Sequence, residues 1–455
     1  MVHMYAMALW FGTALLPDGW ASNVRLTVAG GCIASIELAT DAQRGDDCHA
    51  IAIPGLCNVH SHGFQRGMAG LAEIRGPEGD NFWTWREVMY RFLDRLTPEQ
   101  IEAITVLAYV EMLERGFTRV GEFHYLHNDP AGAPYVTAGE LSERIVAAAR
   151  ETGIGLTLLP VFYAHSNFGG APPNHGQRRF ITNVDGFAKL VECGRKAIAA
   201  LPDANLGVAP HSLRAVTADE LTAILPLANG GPVHIHAAEQ TKEVDDCVAW
   251  SGARPVEWLL DHAEIDARWC LVHATHLTPE ETLRLARSGA VAGLCPITEA
   301  NLGDGIFPAR EYLAASGRIG IGTDSNILID AAGELRSLEY AQRLKFRARN
   351  VLAATEGRST GREMFDAALA GGAQALGQPA FGLREGASAD LLSLDGADLS
   401  LAGRRGDALL DGWIYAGARI DCVWRAGRKV VEQGRHVSRD AIAARYRRAL
   451  ESVLE

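Results

Sequence analysis

Through the middle of the chain, short apolar runs alternate with longer amphipathic stretches. The apolar runs fall at 56–60, 119–123, 155–161, 205–209, 233–237, 270–274, 291–294 and 319–323. Their length and near-continuous apolar character suit strands buried on both faces. Between most of them lie stretches with helical periodicity, at 99–115, 141–152, 184–200, 218–227, 256–262 and 279–288. The first of these has clear ends. Thr97 is suited to cap its N-terminus, Pro98 to occupy the first turn, and Gly116 to stop it. Eight strands alternating with helices predict an α/β fold, a (β/α)8 TIM-like barrel with insertions, over residues 54–385.

Both ends of the chain have a different texture. Residues 6–11, 24–29 and 32–37 read as short strands, with Gly30-Gly31 as a turn between the last two. Strand patterns return at 389–395, 420–425 and 429–431, with a turn at Ala426-Gly427 and an end at Gly434-Arg435-His436. The simplest arrangement joins 1–53 and 386–436 in one small β-sandwich domain flanking the barrel, with a C-terminal helix in 437–455.

The C-terminal ends of the predicted barrel strands carry the chemistry. They read His60-Ser61-His62, Glu122-Phe123-His124-Tyr125, Tyr163-Ala164-His165, His211 with Arg214 beyond, His234-Ile235-His236-Ala237-Ala238-Glu239, His273-Ala274-Thr275-His276, Cys295-Pro296 and Asp324-Ser325-Asn326. Active sites of such barrels form at this end of the strands. Structural histidines would scatter over both ends and over the helices, so the one-sidedness argues for a catalytic site.

Composition narrows the class. Hydrophobic residues make up 48% and charged residues 22%, as in a soluble globular protein. The net charge of -12 gives no support for a nucleic-acid partner or a polybasic membrane contact. The eight cysteines are scattered without a CxxC pair, which fits reduced thiols in a cytoplasmic enzyme. No basic-then-apolar leader opens the chain, and no apolar run approaches the ~20 residues of a membrane span.

Alternation along a strand puts His60 and His62 on one side, close enough to share a metal ion. Alone, such a pair is more often an ordinary polar contact. The later strand ends supply partners: one histidine of the fifth strand and Asp324. His236 lies nearer the barrel mouth than His234, which sits one layer deeper and reads as a core residue. Asp324 follows the apolar run 319–323, where a carboxylate is costly unless paired or metal-bound; the alternative is a helix cap. Three or four N/O ligands with an open position are what a catalytic zinc requires. Such an ion lowers the pKa of bound water, and the reaction then needs a proton carrier. Glu239 suits that task, and His273 suits orienting the water or polarising the substrate. No strand ends in lysine, which favours one metal ion over two.

Pro54-Gly55-Leu56, Asn58, His60 and His62, with His236, Glu239, His273 and Thr323-Asp324-Ser325, resemble the amidohydrolase superfamily, deaminase branch. Ala387-Ser388-Ala389-Asp390-Leu391 is similar as well. The resemblance covers essentially the whole chain. It implies one Zn2+ per subunit held by His60, His62, His236 and Asp324, with Glu239, His273 and Asp324 as catalytic groups. Within that branch, the stretches from His60 to Gly70, Phe82 to Arg86, Gly121 to His127 and Pro210 to Val216 resemble enzymes of histidine degradation that convert N-formimino-L-glutamate to N-formyl-L-glutamate and ammonia. That activity implies a small-molecule substrate with two carboxylates. Arg86 and Arg214 are suited to grip them bidentately. The resemblance also implies hydrogen bonds from Gln65, Tyr125 and His211, and a homodimer. Trp83 and Trp85 suggest a lid over the site. A deaminase of nucleobases or thio-adenosine compounds would use the same metal set, with a flat apolar pocket in place of two arginines. A catalytically dead barrel should have lost ligands, and none is lost here.

Overall fold

A computed structural model describes residues 7–76, 79–378 and 380–455. The predicted first strand residue, Ala6, lies outside the described residues. In chain order the strands are β1 (Met7–Leu16), β2 (Gly19–Ala29), β3 (Cys32–Glu37), β4 (Asp47–Pro54), β5 (Leu56–Ser61), β6 (Phe117–His124), β7 (Gly155–Phe162), β8 (Asn205–Leu206), β9 (Ala209–Pro210), β10 (Val233–Ala237), β11 (Trp269–His273), β12 (Val291–Leu294), β13 (Arg318–Ile321), β14 (Leu391–Leu394), β15 (Ile420–Arg425), β16 (Arg428–Glu432) and β17 (Arg435–His436).

One sheet runs β10-β11-β12-β13-β5-β6-β7-β8, with β9 also paired to β7. All its pairings are parallel. It curls until its two edges approach. Val208 N–H donates to the Pro232 carbonyl (3.0 Å), and His234 N–H donates to Val208 (3.1 Å). Every residue of β6, β7, β10 and β11 is buried. These strands are buried on both faces, and the polar side chains they carry, such as Arg119, Glu122, His234 and His236, are buried with them. The predicted fourth strand, 205–209, is two short pieces split at Gly207, where a Cβ would meet the Pro232 carbonyl oxygen at 2.4 Å.

The second sheet runs β17-β16-β15-β14-β4-β1-β2-β3 and draws on both ends of the chain. β4 from the first segment pairs antiparallel with β14 from the last. Sequence periodicity does not separate β4, because Asp47–Ala50 are partly exposed and mixed in character before the buried run Ile51–Pro54 begins. β1 and β2 are also longer than predicted, at 10 and 11 residues.

The helix Pro98–Glu114 begins as its sequence signals. Thr97 accepts from Gln100 N–H (3.3 Å), and the Gln100 side chain accepts from Thr97 N–H (2.8 Å). The segment predicted as a lid is a helix, Phe82–Leu93, capped by Asn81. Close approach of backbones fixes the sheet near the ligand strands. A Cβ on Gly322 would lie 2.8–3.0 Å from three atoms of His60, so β5 and the end of β13 can pack this tightly only around glycine.

Candidate active site

His60 lies near the end of β5 and His62 directly follows its last residue, Ser61, both on one side as alternation requires. His236 comes from β10, and Asp324 lies three residues beyond β13. Asp324 has φ 43°, a left-handed turn that swings its carboxylate back toward β5. Thr323 and Asp324 N–H both donate to the His60 carbonyl, at 3.0 and 2.9 Å, and His62 N–H donates to the Asp324 carbonyl at 3.0 Å. The predicted helix-cap alternative for Asp324 does not occur; the next helix, Ala331–Phe346, begins after Asp330.

The ring nitrogens converge. His60 Nε2 is 3.2 Å from His62 Nε2 and 3.0 Å from His236 Nε2. Asp324 Oδ1 is 3.2 Å from His62 Nε2 and 3.4 Å from His60 Nε2. His62 donates from Nδ1 to the Phe123 carbonyl (3.0 Å), and His236 donates from Nδ1 to the His211 carbonyl (3.0 Å). A carbonyl only accepts, so both rings carry their proton on Nδ1 and present a bare lone pair at Nε2. Lone pairs and a carboxylate oxygen crowding one point repel unless a cation lies between them. This donor set therefore fits a divalent metal with N/O preference. Burial drives His60 down to about 3 and His236 well below the usual range, which keeps both neutral. Burial opposes the charge on Asp324, but hydrogen bonding from the His60 ring outweighs it and holds the carboxyl well below the ordinary carboxylate value.

The cavity above this cluster is lined by His62, Gln65, Arg86, Tyr125, His211, Arg214, His236, Glu239, His273 and Asp324, with apolar and aromatic neighbours. His60 lies beneath, fully buried. Every residue singled out from the sequence for the metal, the chemistry or the substrate is thus in or under one cavity. His234 is the deeper residue expected and donates to the Ala375 carbonyl (2.8 Å). His165, at the end of β7, turns away to pair with Glu220 (2.9 Å).

Glu239 Oε1 is 3.7 Å from His273 Nε2, and Glu239 Oε2 is 3.8 Å from Arg214 Nη2. Burial pushes the Glu239 carboxyl up to about 7, against the pull of His273 and Arg214. Burial lowers His273, but the charges of Glu239, Glu299 and Asp324 outweigh it and raise it to about 10. Burial also opposes the Arg214 charge, and Glu243 and Glu239 overcome that opposition. The nitrogens Arg86 Nε and Arg214 Nε and the oxygen Gln65 Oε1 are buried without a partner among the described residues. Buried polar atoms left in this state in a cavity wall point to a polar ligand. Gln65 donates to the Tyr125 hydroxyl (2.7 Å). Of the two tryptophans, Trp85 lines the cavity, while Trp83 packs on the guanidiniums of Arg86 (4.5 Å) and Arg214 (5.7 Å).

Sequence reasoning missed part of the wall. Phe82, Met89 and Tyr90 join Trp85 and Arg86 on one face of the helix Phe82–Leu93. Their spacing of i, i+3, i+4, i+7 and i+8 was a legible helical stripe. Glu243 and Glu299 were also missed. Both are buried, and both sit in helices where a carboxylate reads as a solvated face. Leu302 and Phe180 reach the cavity from segments with no local signal.

The fold and this site define a metal-dependent hydrolase: residues 51–430 match the model of the amidohydrolase family, and the chain belongs to that family. Within it, the resemblance is to the formimidoylglutamate deiminases. Residues 7–50 match the model described as formimidoylglutamate deiminase HutF, N-terminal domain. Over 452 residues the chain is 51% identical to formimidoylglutamate deiminase of Pseudomonas aeruginosa, covering 98% of this chain and 100% of that one. A crystal structure of an amidohydrolase from Brucella melitensis is 58% identical, with a TM-score of 0.97 over 99% of this chain and 100% of that one. An adenosine deaminase from Xanthomonas campestris with bound zinc shares the fold at 23% identity, with a TM-score of 0.81 over 98% of each chain.

Proposed function

We propose that this chain hydrolyses N-formimino-L-glutamate to N-formyl-L-glutamate and ammonia, a deimination step of histidine degradation. The observation that carries this reading is the pair of arginines in the wall of the metal-competent cavity, half-buried Arg86 and buried Arg214, each with a buried, unpartnered Nε. A substrate with two carboxylates would satisfy both. A nucleobase offers no carboxylate to either guanidinium. The identity of 51% over nearly the whole chain to a formimidoylglutamate deiminase supports the same substrate.

The metal is proposed to be one Zn2+ held by His60, His62, His236 and Asp324. When bound, it supplies Lewis acidity and brings the pKa of a water molecule toward neutrality. Glu239 accepts the first proton from the attacking water, and Asp324 helps draw it off. Glu239 passes a proton to the imine nitrogen as the water oxygen bonds to the formimino carbon. His273, cationic beside Glu239, stabilises the negative charge that builds on that oxygen. As the formyl carbonyl forms, the second proton of the attacking water passes from its oxygen through Asp324 and Glu239 to the nitrogen, so the carbon–nitrogen bond breaks, ammonia leaves and the formyl group remains. Arg86 and Arg214 hold the carboxylates, and Gln65, Tyr125 and His211 orient the chain between them.

The curled parallel sheet supports reading residues 54–385 as a closed (β/α)8 barrel, because backbone hydrogen bonds join its edges. Residues 1–53 and 386–436 are read as one β-sandwich domain and 437–455 as a terminal helix. A cytoplasmic location accords with free cysteines throughout the described residues. Among those residues no helix is long and apolar enough to cross a membrane. A homodimer follows from the family resemblance alone. Ammonia release from N-formimino-L-glutamate, measured beside guanine and cytosine, tests the proposal. Turnover of a base in preference to the diacid would replace it with the nucleobase reading.

A further inference from the structure

The turn that carries Glu239 is held by one buried side chain. Glu243 is 1% exposed and sits in the first turn of the helix Thr241–Ser251. Its Oε1 accepts from Ala238 N–H (3.2 Å) and its Oε2 from Glu239 N–H (3.0 Å). Between β10 and this helix the chain passes through a left-handed conformation at Ala238, with φ 51°. That region costs an alanine roughly 1–2 kcal/mol relative to its ordinary conformations. Something must hold it there, and the two-pronged carboxylate does so while supplying acceptors for two buried amides.

We propose that Glu243 is a positioning residue for Glu239: its carboxylate locks the Ala238 turn and thereby aims the Glu239 carboxyl at the space between His273 and Arg214. The proposal rests on the reading of Glu239 as the proton carrier. Without the clamp, Ala238 relaxes to negative φ and the Glu239 side chain swings off line. Displacement of a catalytic group by about 1 Å can cost ~100-fold in rate. None of the metal ligands lies on the clamped turn, so the ion should stay.

Glu243→Gln keeps the shape but places an NH2 group where one of the amides donates. It should lower kcat about tenfold to a hundredfold, with KM within twofold and metal content unchanged. Glycine adopts the left-handed turn without strain. Adding Ala238→Gly to Glu243→Gln should therefore recover part of the lost kcat, which a general structural defect would not allow. Normal kcat in Glu243→Gln overturns the proposal, as does a loss that Ala238→Gly leaves untouched. A loss carried mainly in KM also overturns it, because Glu243 would then act on Arg214. Glu239→Gln is run alongside. If it keeps turnover, the reading of Glu239 has failed; if it is inactive while Glu243→Gln is normal, only the clamp has failed. Should Glu243→Gln not fold, hydrogen exchange in the wild-type protein decides: strong protection of the 238 and 239 amides supports the clamp, and fast exchange there overturns it.

Discussion

Glu239 Oε1 stands 3.7 Å from His273 Nε2, deep in a cavity where both side chains are almost fully buried. Burial pushes the carboxyl up to about 7 against the pull of His273, while the surrounding carboxylates raise the imidazole to about 10 against its own burial. The pairing is suited to moving one proton while keeping another.

Glu239→Gln should retain its metal and lose turnover by a factor on the order of 10³ or more, since a positioned proton carrier contributes roughly 10²–10⁴ and is used twice in this reaction. Metal analysis and an ammonia-release assay on the same preparation check both halves. Turnover near wild type would remove Glu239 from the mechanism.

The pH profile should carry the mark of the same burial. Glu239 must be ionised to accept the first proton, and its raised pKa keeps the proton on to higher pH. The value of kcat/KM should therefore fall as pH drops through about 7. An ordinary glutamate would stay active down to about 4.3. A profile flat into that ordinary range would contradict the assignment.

Arg214→Met should raise KM far more for the diacid than for a monocarboxylate analogue. A charge-assisted hydrogen bond contributes about 1.5–3 kcal/mol, or roughly ten- to a hundredfold in binding. Arg86→Met should behave likewise for the other carboxylate. Equal effects on both analogues would sink the idea of a two-arginine clamp.

Chelation should abolish ammonia release and lower the melting temperature. The bare Nε2 lone pairs of His62 and His236 and the Asp324 carboxylate crowd one point without a cation between them. A ligand present at a thousand times its Kd stabilises the folded state by about 4 kcal/mol. Restoring zinc should return both properties. Full activity after complete metal removal would be incompatible with the proposed mechanism.

Gly371→Ala tests the packing that seats the end of β13. A Cβ there would lie 2.0 Å from the Ile319 carbonyl oxygen, which is backbone and cannot turn aside. The helix Thr360–Ala375 must then back away from β13. The expected loss is on the order of 2 kcal/mol or more, read as a lower urea midpoint at unchanged slope. An unchanged midpoint would mean the helix and strand are not held in this register.

Much of the molecule was legible because two rules act locally. Alternation along a strand sends His60 and His62 the same way and sets His234 below His236, whatever surrounds them. Capping chemistry at Thr97 and Gln100 likewise needs only neighbours in the chain. The helix Phe82–Leu93 is legible in the same way, since Phe82, Trp85, Arg86 and Met89 form a stripe at helical spacing.

Other features depended on contacts between distant segments. A carboxylate in a helix reads as solvated until its surroundings are known. Glu243 is buried only because the β10 turn folds back over it, and Glu299 because Cys295 N–H and the His273 ring close around it. The left-handed turns at Ala238 and Asp324 have no glycine to announce them. The residue types and order of the site were thus set by the sequence itself, through side-chain chemistry and strand period. Which lone pairs meet, which carboxylates lose their water and where Glu239 points were decided only when segments as far apart as Asn58 and Thr323, 265 residues along the chain, came together, because burial and electrostatic coupling are properties of the space between segments.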